Sequence, residues 1–236
     1  AAYYQTGGSN TAIGSATLYG SAGANGSYNT AVGSATLNSN TGGVHNTAVG
    51  FRTLQLNTVG GYNIAVGSSA LYANTSGASN SAFGYLSLTA NTTGGYNSAF
   101  GGAALFGNTT GVYNSAFGYR ALSANTTGFS NSAFGFKALL NNTVGYRNAA
   151  FGYNALISNT SGYYNSAFGG SSLYKNTIGV RNNAFGFKAL YANTTNNNNA
   201  FGYYALKSNT TGTANSAFGH QTLKNNTSGV SNSAFG

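Results

Sequence analysis

Nine cations, two histidines and many hydroxyls and amides are what this chain of 236 residues has for chemistry, because Asp, Glu, Cys and Met are all absent. Ser and Thr are plentiful, but a nucleophilic hydroxyl needs an adjacent base and a third group to orient that base. His45 and His220 are the only imidazoles, and they lie towards opposite ends of the sequence, which also argues against a His-His metal site. Without carboxylates there are no hard oxygen ligands for calcium or magnesium; without Cys there is no thiolate, disulfide or sulfur-ligated metal. The Gly-rich turns are not phosphate loops, since no G-K-[ST] follows any of them. A non-enzyme with neither cofactor nor metal is the expectation.

What must position these side chains is a repeat. Asn131 to Arg147, NSAFGFKALLNNTVGYR, has copies from Asn10 to the last residue. The glycine closing each N-x-A-apolar-G block falls at Gly14, Gly33, Gly50 and onward to Gly236, at intervals of 19, then 17 nine times, then 16, 17 and 17. Self-similarity at such a period marks a solenoid, in which each coil buries its apolar side only by stacking on its neighbours. The expected fold is all-β, a parallel β-solenoid (β-roll or β-helix) of about 13 coils of 17 residues with two short strands per coil. It reads as one domain, 1–236, with 1–9 a partial coil and 10–236 the array; the missing Met and the part-coil ends suggest a processed segment of a longer protein. A disordered Phe-Gly polymer would share the composition but not the fixed slots.

Counting each coil from its first Asn as slot one, slot three is always Ala, slot five always Gly and slot nine always Leu wherever the copy is long enough. Slot four is apolar, Val or Ile early and Phe from Phe83 onward. Strands are expected at slots two to five and eight to eleven, with slots four and nine as the core: Phe100, Phe117 and Phe134 with Leu105, Leu122 and Leu139. Side chains alternate across a strand, so an inward Phe puts Ala99, Ala116 and Ala133 on the opposite face. An outward position has no need to stay Ala, which makes these three a candidate chain-chain interface, or the lining of a thin far wall.

Slots one and twelve repeat Asn in register, as in Asn97, Asn114, Asn131 and Asn148, and in Asn91, Asn108, Asn125 and Asn142. Stacked coils bring equivalent residues within about 4.7 to 4.9 Å, where side-chain amides bond in ladders. Gly at slots five and fifteen is expected to take positive φ at the corners, with Asn196 in that role where one coil shortens to sixteen residues. The wider first coil inserts two residues and has Ser21 and Gly23 near its missing slot-twelve Asn.

The cations occupy variable slots, Arg52, Arg120, Lys137 and Lys188 in slot seven, Lys207 and Lys224 in slot ten, Lys175 in slot eleven, Arg147 and Arg181 in slot seventeen. They read first as a solvated surface, and second as an attraction to polyanions such as cell-surface glycans or nucleic acid. The turn N-T-[ST] at Asn74, Asn91, Asn108, Asn125, Asn159, Asn193, Asn209 and Asn226 matches the N-glycosylation pattern, but turn residues satisfy it by chance. The adjoining Thr file, including Thr92, Thr109 and Thr126, makes ice binding a rival reading, although one Thr file is narrow for it.

The N-[ST]-A-[IVF]-G block, as at Asn29 to Gly33 and Asn114 to Gly118, resembles the head repeats of trimeric autotransporter adhesins. The longer N-T-A-[VI]-G-x-x-A-L-x-x-N-T-x-G form looks like the repeats of phage-tail-fibre-like bacterial surface proteins. The resemblance implies a parallel β-roll, a homotrimer and adhesion without catalysis, with the block residues in core and corner roles; the coils here are longer than those of the adhesin heads. The combined expectation is an extracellular structural or adhesive fibre, on a cell surface or as a virion tail fibre. Such a fibre would self-associate as a homotrimer or end to end; no apolar run approaches the length of a membrane helix, so no membrane insertion is expected.

Overall fold

The computed structural model describes residues 7–20 and 24–236, so Ser21, Gly23 and most of the partial coil 1–9 lie outside the described residues. The chain forms two units, Ala1–Phe117 and Gly118–Gly236. Each is a parallel β-solenoid with seven three-residue strands, from β1 (Thr11–Ile13) to β7 (Ser115–Phe117) in the first and from β8 (Ser132–Phe134) to β14 (Ser233–Phe235) in the second. No helix occurs among the described residues, and none is long and apolar enough to cross a membrane.

Register is unbroken within each unit. Ala99 pairs with Ala116 and Phe100 with Phe117 in the first; Ala167 pairs with Ala184 and Phe168 with Phe185 in the second. In-register parallel pairing puts each side chain over its own equivalent one coil on, so fixed slots in the sequence become straight files in space.

One strand per coil forms, at slots two to four; the second strand expected at slots eight to eleven does not. Its residues leave the extended region: Arg120 has φ of 55° and Leu122 of 54°, and slots seven and nine repeat these values in every coil. A left-handed conformation costs a non-glycine residue roughly 1–2 kcal/mol. What holds it is bonding in opposite directions along the axis. The slot-seven N–H donates backwards, as Lys137 does to Tyr119 O at 3.0 Å, and the slot-nine N–H donates forwards, as Leu139 does to Ala155 O at 3.0 Å. An extended strand would satisfy the same groups but would swing the leucine out of line with its fully buried position.

The core reverses part of the expected assignment. Leu105, Leu122 and Leu139 are fully buried, and so are Ala99, Ala116 and Ala133. Phe100, Phe117 and Phe134 are only half-buried and face outward. The strand alternates as expected, but with the opposite phase. With leucine reaching in from the opposite arm, the coil is too narrow to admit a second large side chain, and alanine is what fits across from it. Sealed inside one chain, Ala99, Ala116 and Ala133 are the lining of the wall and not a surface for a second chain. The displaced phenylalanines instead cover one another, with Phe83 to Phe100 at 4.7 Å and Phe151 to Phe168 at 4.7 Å between nearly parallel rings.

Candidate functional site

The most conserved-looking polar feature of the repeat, the Asn files, turns out to be interior. Asn97, Asn114, Asn91 and Asn108 in the first unit, and Asn131, Asn148, Asn125 and Asn142 in the second, are buried. Slot-one amides climb the axis, Asn114 Nδ2 donating to Asn97 Oδ1 at 3.2 Å and Asn148 Nδ2 to Asn131 Oδ1 at 3.2 Å. Slot twelve does the same, Asn108 Nδ2 to Asn91 Oδ1 at 2.8 Å and Asn142 Nδ2 to Asn125 Oδ1 at 2.9 Å.

The two ladders are joined. Within one coil both amides donate to the same glycine carbonyl, as Asn148 and Asn159 do to Gly162 O at 2.8 and 3.0 Å. A buried amide left unbonded costs about 1–3 kcal/mol, so the network holds because its groups are bonded, Asn176 Oδ1 being the exception in the two files among the described residues. It also explains the slot-fifteen glycine, which does not take positive φ as expected from sequence. A Cβ on Gly145 would lie 2.3 Å from Asn142 Oδ1 and 2.5 Å from Gly162 O. At slot five, by contrast, both reasons hold: Gly135 has φ of +135°, and its Cβ would meet Gly152 O at 2.6 Å.

These ladders consume groups that sequence reading left open to ligands or modification. Asn74, Asn91, Asn108, Asn125, Asn159, Asn193 and Asn209 of the glycosylation pattern are fully buried; Asn226 is half-buried, with its Nδ2 committed to Asn209 Oδ1 at 2.9 Å. The Thr file is similarly engaged. Thr75 Oγ1 donates to Thr92 O and Thr92 Oγ1 to Thr109 O, both at 3.1 Å, which turns the hydroxyl hydrogens away from any external water lattice.

What remains outward is aromatic and cationic. His45 lies in a stack between Tyr28 and Tyr62, at 4.8 and 5.0 Å, and His220 stacks on Tyr203 at 5.3 Å. Slot-six rings form a second file, Tyr119 to Phe136 at 5.7 Å and Phe136 to Tyr153 at 5.4 Å. Slot-seven cations sit beside it: Arg52 is 5.0 Å from the centre of the Phe51 ring, Lys137 5.0 Å from Phe136 and Lys188 5.2 Å from Phe187.

The distribution of these cations is uneven. Only Arg52 belongs to 1–117, while Arg120, Lys137, Arg147, Lys175, Arg181, Lys188, Lys207 and Lys224 all belong to 118–236. Three of them are neighbours: Lys207 Nζ is 4.5 Å and Lys224 Nζ 5.5 Å from the centre of the Tyr204 ring, and Lys188 lies over Phe187, whose ring centre is 5.8 Å from that of Tyr204. A side-chain hydrogen bond with Tyr203 lowers Tyr204 below the ordinary tyrosine value; burial opposes it, and the charges of Lys188, Lys207 and Lys224 each add a smaller lowering. The same hydrogen bond raises Tyr203. The charge asymmetry was readable in the sequence, but the convergence on Tyr204 needed the stacking of slots seven and ten.

No protein-family model, no characterised protein and no solved structure matches this chain.

Proposed function

We propose that the chain is a non-catalytic structural or adhesive fibre element exposed outside the cell, on a cell surface or a virion tail. The observation that carries the reading is the joined Asn network: its repeating amides, the most numerous polar groups with fixed positions, are buried and bonded to one another rather than presented to a ligand. A molecule whose invariant residues all serve axial stacking is built for length and persistence, and its variable residues form the working surface.

Side-by-side association fits the same reading but requires a face other than the alanine one. The outer sheet face, with its files at slots two and four, carries none of the nine cations, which lie at slots seven, ten, eleven and seventeen. It is the face on which two positively charged copies approach with least repulsion.

Immunogold labelling of intact source material with an antibody to the chain tests this. Gold along surface fibrils or fibre tips is the expected result; label confined to the cell interior would remove the reading. The ice-binding alternative predicts thermal hysteresis and ice shaping, lost when Thr92, Thr109 and Thr126 are replaced by bulky residues.

A further inference from the structure

We infer that the second unit binds an acidic polysaccharide along the face made by slots six, seven and ten, centred on Gly170, Phe187, Lys188 and Tyr204. The binding does not depend on the fibre reading, since a chain that never forms filaments could still bind.

Charge gives the class of partner. The unit holds eight cations, and the chain has no carboxylate side chain with which any of them could pair. Lys207 and Lys224 sit over Tyr204 and Lys188 over Phe187, whose ring centre is 5.8 Å from that of Tyr204, so the three ammonium groups are neighbours with no carboxylate between them, and a polyanion laid across them supplies the missing charge. Successive coils rise by about 4.8 Å, so Lys207 and Lys224, one coil apart in the same slot, present a charge at each rung.

Ring geometry separates glycan from nucleic acid. Single-stranded nucleic acids bind by stacking successive bases on open aromatic faces. Here the faces cover each other: Tyr203 has Phe187 at 5.7 Å, tilted by 20°, and His220 at 5.3 Å and 4°. A run of open faces, one for each base, is therefore missing. The slot-six file has one interruption within this unit, at Gly170, between the coils of Tyr153 and Phe187. Phe187 leans into that gap, its ring carbon 3.3 Å from where a Cβ of Gly170 would stand, and Lys188 Nζ is 5.2 Å from the centre of the same ring. Phe187 lies over Gly170 with no slot-six ring beneath it and stays 42% exposed, so a pyranose can lay its C–H face on the uncovered part of the ring and direct a carboxylate or sulfate to Lys188. The neighbouring ammoniums and the phenol edges then follow the strand.

The test is binding of the full chain to dextran sulfate, neutral dextran and a thymidine oligomer, by biolayer interferometry at low and raised salt. Dextran sulfate should bind, about tenfold or more weakly after a fourfold rise in salt, and neutral dextran should not. The combined variant Lys188→Gln, Lys207→Gln and Lys224→Gln changes half-buried side chains outside the core and should weaken dextran sulfate binding at least about tenfold. Gly170→Tyr restores the ring present at slot six in neighbouring coils; it should weaken dextran sulfate binding while leaving the salt dependence unchanged. Circular dichroism of both variants should match the parent. Unaltered affinity in the triple lysine variant overturns the proposal. So does an oligonucleotide that binds as tightly as dextran sulfate and ignores Gly170→Tyr, a result that would point to nucleic acid.

Discussion

Asn193 does not continue the ladder below it: its Nδ2 donates to Thr195 O at 2.9 Å, and Asn176 Oδ1 is left buried without a donor. The cause is the sixteen-residue coil. It lacks the slot-fourteen residue, so Thr195, not Asn196, stands where other coils have glycine. Its carbonyl takes the bond from Asn182 Nδ2 at 2.6 Å that Gly179 O takes from Asn165 in the coil before. A side chain at that position crowds the Asn amide, and Thr195 Oγ1 bonds Asn193 Oδ1 at 3.2 Å. The ladder resumes above, with Asn209 Nδ2 donating to Asn193 Oδ1 at 2.8 Å.

Repair of this defect should stabilise the chain. Inserting one Ser between Thr194 and Thr195, together with Thr195→Gly, restores seventeen residues and lets Asn193 reach Asn176. Satisfying a buried amide oxygen is worth about 1–3 kcal/mol. A rise in the urea midpoint with unchanged slope is expected, and an unchanged midpoint would show that the coil tolerates the orphaned oxygen at no cost.

The inverted core makes an ordering that the sequence alone would reverse. In the coil from Asn97, Leu105 and Ala99 are fully buried and Phe100 is half-buried. Leu105→Ala should cost about 2–5 kcal/mol through transfer and cavity terms. Phe100→Ala should cost less, mainly the stacking with Phe83 and Phe117, at about 0.5–1.5 kcal/mol per aromatic pair. Ala99→Phe should prevent folding, because the wall has no room. Chemical denaturation of the three variants checks the order, and a folded Ala99→Phe chain with altered association would restore the alanines as an interface.

Period decided what could be read in advance. Seventeen-residue recurrence with fixed Asn, Gly and Leu leaves parallel stacking as the only way to bury the leucines, so the solenoid and both Asn ladders were legible. Phase was not: an outward Ala with inward Phe and an inward Ala with outward Phe are the same period-two pattern, and residue size favours the wrong one unless the opposing Leu is known to fill the space. The left-handed φ of Leu122 was hidden for a similar reason, since nothing in the type of a leucine signals αL and only bonds to the coils on either side stabilise it. On the surface, slots placed the cations, while the meeting of Lys207 and Lys224 over Tyr204 emerged only from side-chain reach.

Burial of the Asn amides bears on secretion through a glycosylating pathway. Asparagine is glycosylated on Nδ2, and in Asn74 that atom donates to Asn57 Oδ1 at 2.8 Å and Gly77 O at 2.9 Å inside the coil. The folded chain should therefore carry no glycan at Asn74, Asn91, Asn108 or Asn125, whichever host makes it. Expression in a eukaryotic secretory system followed by endoglycosidase digestion gives the readout. No mobility shift is expected in the soluble fraction, and a glycosylated protein with native circular dichroism would contradict the buried ladders.

Two ends of the pH scale give opposite expectations. No Asp or Glu titrates, so the melting temperature should vary little between about pH 3 and pH 6, where most proteins lose stabilising carboxylates. A steep acid-induced fall in that window would contradict it. In alkali, Tyr204 is lowered by the hydrogen bond from Tyr203 and by three lysines, so its phenolate is favoured in the folded chain; its contribution to stability is present above the unfolded tyrosine value and fades as pH falls through the folded one. Tyr203 is raised and contributes with the opposite sign, being stabilising only while its phenol stays protonated. The two shifts therefore oppose each other in stability and separate the pair in order of ionisation. In an ultraviolet titration the first phenolate to form should be that of Tyr204, and Tyr204→Phe should remove this earliest step while bringing Tyr203 down towards the ordinary value. An unchanged onset in Tyr204→Phe would show that neither the hydrogen bond from Tyr203 nor the neighbouring ammonium groups lower that phenol.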